Sequence, residues 1–91
     1  MRVQYTRLAI SDLTSAYNYI ASDSLENARL IIARIEKSIE TLVLYPLLGR
    51  KGRVADTREF VVVNTPFVVI YRVKGDILHI LSILHTSKKY P

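Results

Sequence analysis

Hydrophobic residues in the first half of the chain recur at a helical spacing. Residues 2–5 alternate polar and apolar side chains, which predicts a short strand. Thr6 follows it and has the hydroxyl group that caps the first turn of a helix. Beyond Thr6, apolar residues fall three or four positions apart, and this spacing predicts a helix that ends near Ala21. The residues of this apolar stripe are Ala9, Leu13, Ala16, Tyr17 and Ile20.

A second and longer amphipathic helix follows a polar break at residues 22–24. Asp23 and Glu26 have the spacing of a capping box, so we expect the helix to begin there. Pro46 disfavours a helical conformation at the residue before it and therefore sets the end of the helix. Two amphipathic helices joined by about three residues predict an antiparallel helical hairpin. The apolar face of the second helix consists of Ala28, Ile31, Ile32, Ile35, Ile39, Leu42 and Val43.

The second half of the chain changes to the pattern of β-strands. Residues 48–53 form a basic loop with two glycines, and three segments rich in β-branched and other apolar residues follow at 58–63, 67–73 and 77–84. Short breaks with turn residues separate these segments, which therefore predict a C-terminal antiparallel β-meander. The strands are apolar at nearly every position, which is typical of a sheet covered on both faces. The helical hairpin covers one face, and we expect a partner or a second copy on the other.

The length and composition favour one small α+β domain that spans residues 1–91. A hydrophobic content of 49% excludes intrinsic disorder, and the absence of cysteine excludes disulfide scaffolds and thiol catalysis. No apolar run approaches the ~20 residues of a membrane-spanning helix, and residues 1–5 are not followed by the apolar stretch of a secretory signal. We therefore expect a cytoplasmic protein with no membrane association.

The net charge of +5 comes entirely from the second half of the chain. Residues 1–45 carry five basic and five acidic side chains, whereas residues 46–91 carry eight basic and three acidic ones. This asymmetry predicts a basic face that attracts an acidic protein, a nucleic acid or phosphate, although a small basic domain also gains solubility from it. The basic residues of the second half are Arg50, Lys51, Arg53, Arg58, Arg72, Lys74, Lys88 and Lys89.

Several polar residues of the predicted meander are candidates for chemistry. Alternation along the middle strand places Arg72 on the face opposite to the bulkier side chains, and His85 can act as an acid or a base near neutral pH. Each candidate also has a structural interpretation. Arg58 can belong to a surface ion pair with Glu59, Arg72 can anchor a turn, and the histidine can be a hydrogen-bonded strand end. The residues that could converge at the C-terminal edge of the sheet are Arg58, Arg72, His85, Lys88 and Tyr90.

Metal and cofactor sites have no support in the sequence. His79 and His85 are isolated and give no metal-ligand spacing, and His79 lies among apolar residues, which favours a structural role. The segment Gly49–Gly52 lacks the following hydroxyl residue and helix of a phosphate-binding loop. We expect neither a metal nor a cofactor.

Short motifs spread along the whole chain resemble the RelE/ParE superfamily of bacterial toxins from type II toxin–antitoxin systems. They are Tyr-Pro-Leu-Leu-Gly-Arg at 45–50, Thr-Arg-Glu-Phe at 57–60, Thr-Pro-Phe-Val-Val-Ile-Tyr-Arg-Val at 65–73, Ile-Leu-His at 83–85 and Lys-Lys-Tyr-Pro at 88–91. The resemblance rests on their order and spacing. It implies an α+β fold in which a short N-terminal strand precedes an antiparallel helical hairpin packed on a C-terminal antiparallel β-meander.

The superfamily resemblance implies one of two activities. RelE-like members are ribosome-dependent mRNA endoribonucleases, in which an arginine stabilises the developing phosphorane charge. ParE-like members inhibit DNA gyrase by binding it. In many of the nucleases an arginine directly follows the aromatic residue that opens the middle meander strand, whereas this chain has Val68 after Phe67. Valine cannot neutralise phosphate, so the chain looks more like ParE.

The ParE resemblance implies a toxin that binds DNA gyrase through its basic half and forms a complex with a cognate acidic antitoxin. Self-association is a further possibility. The predicted partner-binding residues are Arg50, Arg53, Arg58, Arg72, His85, Lys88 and Lys89. The alternative is an endoribonuclease that acts on mRNA at the ribosome, with Arg58, Arg72, His85, Lys88 and Tyr90 as its site. A third interpretation is a degenerate module that binds its antitoxin but is not toxic.

Overall fold

Two helices pack on one face of a five-stranded sheet whose strand order is β1-β5-β4-β3-β2. The structure is a computed structural model and describes residues 1–87. Strand β1 is parallel to β5, and the remaining neighbours are antiparallel. The elements are β1 (Arg2–Tyr5), α1 (Arg7–Ala21), α2 (Leu25–Leu44), β2 (Arg50–Lys51), β3 (Arg58–Val61), β4 (Phe67–Lys74) and β5 (Ile77–His85). The predicted α+β fold, with its N-terminal strand and helical hairpin, is confirmed.

The sheet differs from the predicted meander at both edges. The segment predicted as a loop contains β2, in which Arg50 is the register partner of Glu59 and forms a 3.1 Å ion pair with it. The sheet is mixed rather than purely antiparallel because β1 joins it beside β5. Strand β3 ends at Val61, two residues before the predicted end at Val63. The carbonyl oxygen of Val62 accepts hydrogen bonds from the backbone N–H and the hydroxyl group of Thr65, which starts the turn there.

The cap of α1 is confirmed, and the predicted cap of α2 is wrong. The Thr6 hydroxyl oxygen accepts a hydrogen bond from the Ala9 N–H at 3.0 Å. At α2 the cap is Ser24, whose hydroxyl oxygen accepts from the Asn27 N–H at 3.1 Å. Ser24 directly precedes the helix and has the extended backbone of a cap residue (φ −153°, ψ 111°), whereas Asp23 lies one position too early.

The hydrophobic core lies between the two helices and the face of the sheet that they cover. Alternate residues of the two long strands point into it, as strand geometry requires. The predicted side-chain alternation of β4 is confirmed, since Phe67, Val69 and Tyr71 are buried while Arg72 is exposed. Within residues 1–87, no helix covers the other face of the sheet. The buried core residues are Ala9, Ala16, Ile35, Ile39, Leu42, Val62, Phe67, Val69, Tyr71, Leu78, Ile80 and Ile83.

Side chains of α1 and of its cap residue form hydrogen bonds with the backbone of β5 beyond the end of β1. Strand β1 pairs with β5 only as far as Ile80. The Thr6 hydroxyl donates to the Leu81 carbonyl at 2.7 Å. The Asp12 carboxylate then accepts two bonds, from the Ser82 hydroxyl at 2.8 Å and from the Ile83 N–H at 2.9 Å. This edge of β5 is therefore closed by side chains of the same chain.

Replacing Asp12 with alanine is expected to lower the free energy of unfolding by about 1–3 kcal/mol, because the Ile83 N–H loses its partner in a half-buried site. Asp23→Ala is the matched control, since Asp23 is exposed and its side chain makes no hydrogen bond within residues 1–87; a change below about 0.5 kcal/mol is expected. Urea denaturation of the three proteins measures both effects. Equal stabilities for the two variants would contradict the role of Asp12.

Candidate interaction surface

The face of the sheet opposite the helices carries an apolar end and a cationic end. We call this face the outer sheet face. Cross-strand partners share a face, so the strand register gives its composition. Its apolar end comprises Val61, Val68, Ile70 and Leu84, and its cationic end comprises Arg2, Gln4, Arg72, Lys74, Ile77 and His79.

The apolar end is centred on Val68, which lies between Val61 of β3 and Leu84 of β5. Val61 exposes 54% of its surface, whereas Val68 exposes 7%. Neither cross-strand neighbour of Val68 carries a hydrogen-bond donor, a base or a charge on its side chain. Val61 is thus the exposed part of this end, Leu84 is half-buried, and none of the three side chains can bind phosphate.

The cationic end brings together three positive side chains from two strands that flank β5. Arg72 lies opposite His79, and Lys74 lies opposite Ile77, whose partner on the other side is Arg2. The side chains of Arg2, Arg72 and Lys74 are exposed, and none of them has a hydrogen bond or an ion pair within residues 1–87. These charges are accessible to the carboxylates of a partner.

One ion pair borders the outer sheet face. Glu59 lies beside Ile70 in the register, and its carboxylate pairs with Arg50 of β2. The Glu59 side chain exposes only 16% of its surface, whereas that of Arg50 exposes 72%. Glu59 thus neutralises one cation at the edge and leaves the cations at the opposite end unaffected.

Arg58 and Tyr71 fix the loop that follows α2. Both lie on the helix side of the sheet, as cross-strand partners. The Tyr71 hydroxyl donates to the Pro46 carbonyl at 2.7 Å and accepts from the Gly49 N–H at 2.8 Å. The Arg58 guanidinium donates to the Gly49 carbonyl at 2.8 Å. Burial raises the pKa of the Tyr71 hydroxyl, and the Gly49 N–H and Arg58 oppose this only in part, so the phenol keeps the proton that it donates.

Gly49 is required by the close approach of this loop to Tyr71. A Cβ atom at position 49 would lie 2.6 Å from the Tyr71 hydroxyl oxygen and 2.7 Å from its ring. The ring cannot move away easily, because Tyr71 is fully buried. Close packing against Tyr71 therefore explains why the segment at 45–50 has a glycine at this position.

The three described candidates for a catalytic cluster do not converge. Arg72 lies on the outer sheet face, whereas Arg58 and His85 lie on the helix side, so the predicted convergence is wrong. The alternative ion pair of Arg58 with Glu59 is also wrong, because Arg58 bonds to the loop and Glu59 pairs with Arg50.

The other predicted site residues fall in separate places. His85 packs its ring edge-on against Phe67, with 5.1 Å between ring centroids, and its Nδ1 lies 2.6 Å from the Ser87 hydroxyl oxygen. Arg53 is exposed in the turn after β2. Lys88, Lys89 and Tyr90 lie outside the described residues. The partner-binding roles of Arg50, Arg53 and Arg72 stay predictions.

Two cations of the outer sheet face, Lys74 and Arg2, are not among the predicted partner-binding residues. Lys74 lies two residues after Arg72 on the same strand, so the alternation that placed Arg72 would also have placed Lys74. Arg2 could not be placed in this way, because its position depends on the pairing of β1 with β5.

Residues 1–87 contain neither a cluster that could hold a metal ion nor a helix that could span a membrane. No group of three or more histidine, cysteine, aspartate or glutamate side chains in this part of the chain could hold a metal ion. Neither α1 nor α2 combines the length and apolar character that a bilayer-spanning helix needs.

Comparison with known proteins gives consistent similarities over almost the whole chain. The family described as "ParE toxin of type II toxin-antitoxin system, parDE" matches residues 3–90. Y4kP of Sinorhizobium fredii, provisionally described as a toxin, is 33% identical over 90 residues, which cover 99% of this chain and 93% of Y4kP. Toxin RelE2 of Caulobacter vibrioides is 34% identical over 87 residues, covering 96% and 97% of the two chains. A solved structure described as "Chromosomal ParDE TA system from P. aeruginosa" matches with a TM-score of 0.82 and 30% identity, covering 93% of this chain and 95% of that one.

Proposed function

The chain belongs to the ParE toxin family of type II toxin–antitoxin systems, and from that premise we propose that it inhibits DNA gyrase by binding it. In this proposal the protein acts in the cytoplasm, arrests growth without cutting RNA, and is neutralised by a cognate acidic antitoxin. The relative from P. aeruginosa is described as a ParDE TA system, which supports an antitoxin partner for this chain as well.

The observation that carries the choice of binding over cleavage is the apolar end of the outer sheet face. Val68 stands where many endoribonucleases of the superfamily have an arginine, and its cross-strand neighbours are Val61 and Leu84. A nuclease needs a cation for the developing phosphorane charge and a nearby acid and base. These three side chains offer none of these groups, which favours a protein-binding role for this part of the sheet.

The outer sheet face has the chemistry to bind an antitoxin segment that is apolar at one end and acidic at the other. Val68 and Arg72 are four residues apart on β4, or about 13 Å at the rise of a strand. A helical segment would span that distance in about nine residues and an extended one in about four. A disordered segment that folds there would stabilise this small domain by mass action.

A paired assay tests gyrase inhibition against RNA cleavage. Purified chain is added to a gyrase supercoiling reaction and, separately, to ribosomes translating a defined mRNA. We expect supercoiling to be lost at toxin concentrations comparable to that of gyrase, and no new mRNA ends. Growth arrest on expression of the chain alone is expected in cells.

Three results would overturn this proposal. Site-specific mRNA cuts that disappear in His85→Ala or Arg72→Ala would make the chain an endoribonuclease. Neither inhibition nor cleavage, together with unaffected growth, would make it an antitoxin-binding module without toxicity. Growth arrest without effect on gyrase or mRNA would assign it another target.

A further inference from the structure

We propose that the loop after α2 is a second docking surface, which inserts into a preformed apolar pocket with an acidic rim on a folded protein. We call the surface the knuckle and define it by Leu44, Tyr45, Leu47 and Leu48. The inference rests on the proposed function in one respect: it assigns the knuckle to the target that the toxin inhibits, and the outer sheet face to the antitoxin.

The knuckle exposes an unusual run of large apolar side chains. The exposed fractions are 72% for Leu44, 63% for Tyr45, 68% for Leu47 and 52% for Leu48. Tyr45, Leu47 and Leu48 lie in one turn, in which the Leu48 N–H bonds to the Tyr45 carbonyl at 3.1 Å, and Leu44 is the last residue of the helix before it. Single exposed apolar residues are ordinary, but a cluster of them marks an interaction site.

The backbone of the knuckle is fixed before any partner binds. Tyr71, which is fully buried, bonds to both Pro46 and Gly49, and Arg58 bonds to the Gly49 carbonyl. The loop thus projects its leucines from a rigid frame. A preorganised anchor loses little conformational entropy on binding, and rigid apolar anchors that fill pockets dominate binding energies at protein interfaces.

Charge complementarity indicates the partner. Residues 44–54 contain Arg50, Lys51 and Arg53 and no aspartate or glutamate. Glu59 pairs with Arg50, whereas Lys51 and Arg53 are exposed and have no side-chain partner within residues 1–87. A second copy seated knuckle to knuckle would place cations against cations, so a pocket with carboxylates at its rim fits better.

The knuckle and the outer sheet face lie on opposite sides of the sheet. Tyr71 reaches the knuckle from the helix side, whereas its neighbour Arg72 points to the outer sheet face. The outer sheet face suits a segment laid across strands, and the projecting loop suits a pocket that already exists.

The test compares wild-type protein with a double substitution in the knuckle, Leu47→Asp with Leu48→Asp. The control is Leu25→Asp, at the other end of α2 and about 28 Å from Leu44. Leu25 is also an exposed leucine, and an acid in the first turn of a helix is well tolerated. Thermal unfolding checks that all proteins are folded. Gyrase supercoiling, growth arrest on expression, and titration with purified cognate antitoxin are then measured for each protein.

We expect the knuckle variant to need at least about tenfold more protein for gyrase inhibition, to lose growth arrest, and to bind antitoxin like wild type. Unchanged toxicity of the folded knuckle variant would overturn the proposal, and so would lost antitoxin affinity with toxicity retained. Binding of wild type to phosphatidylglycerol vesicles that disappears in the variant would assign the knuckle to a lipid surface instead. If wild type arrests growth without inhibiting gyrase, the gyrase proposal fails, and growth arrest still decides the role of the knuckle.

Discussion

Tyr71→Phe is expected to lower the free energy of unfolding by about 2–4 kcal/mol, although it removes a single oxygen atom. The hydroxyl is the partner of the Pro46 carbonyl and of the Gly49 N–H, and each such group left unpaired in a buried site costs about 1–3 kcal/mol. A domain of this size has only about 5–14 kcal/mol of stability in total. Urea denaturation measures the change.

Tyr19→Phe is the matched control for this prediction. Tyr19 exposes 77% of its surface, and its hydroxyl has no hydrogen bond within residues 1–87, so removing that oxygen should change stability by less than about 0.5 kcal/mol. Equal effects of the two substitutions would show that the Tyr71 hydroxyl does not hold the loop.

The free energy of unfolding measured at alkaline pH is a second test of the contribution of the Tyr71 hydroxyl. Burial raises the pKa of Tyr71 in the folded state, so above pH ~10 the unfolded chain loses its phenolic proton first. The stability that this group contributes is therefore present below that pH and is lost as the pH rises through the folded-state pKa. Tyr71→Phe should reduce this loss. It should not abolish it, because burial also raises the pKa of Tyr5.

The elements with a clear period could be predicted from the sequence. The apolar stripes indicated α1 and α2, because a buried helix face must repeat every three or four residues. The Thr6 cap, the polar break at 22–24 and Pro46 set their ends to within a residue or two. The alternation of bulky and other side chains on β4 placed Arg72 correctly, since successive side chains of a strand point to opposite faces.

The features that depend on which strands pair, and in which register, could not be predicted from the periodicity of the sequence. The segment at 60–63 is Phe-Val-Val-Val, so nothing in it indicated that Arg58 faces the helix side. That orientation follows from its register with Tyr71, and it makes Arg58 a support of the loop rather than part of a catalytic cluster. The two-residue strand β2 exists because Arg50 and Lys51 pair with β3, which is a non-local contact. Local propensity carries no information about such contacts.

Reversing two charges at the cationic end of the outer sheet face should weaken antitoxin binding about 100-fold. Arg72→Glu with Lys74→Glu turns two exposed cations into anions without altering the core. Like charges brought together in an interface cost several kcal/mol, and tenfold in affinity corresponds to about 1.4 kcal/mol. The matched control is Arg29→Glu with Lys37→Glu on α2, where both cations are also exposed. This double variant has the same net charge as the other.

Calorimetric titration of the cognate antitoxin into these two variants and the wild type tests the occupancy of the outer sheet face most directly. We expect the wild type and the α2 variant to bind with affinities within a few-fold of each other, and the outer-face variant to bind about 100-fold more weakly. Equally weakened antitoxin binding by both variants would mean that the affinity depends only on the net charge of the protein. Full affinity in the outer-face variant would mean that the antitoxin binds elsewhere, and the assignment of this face would then be wrong.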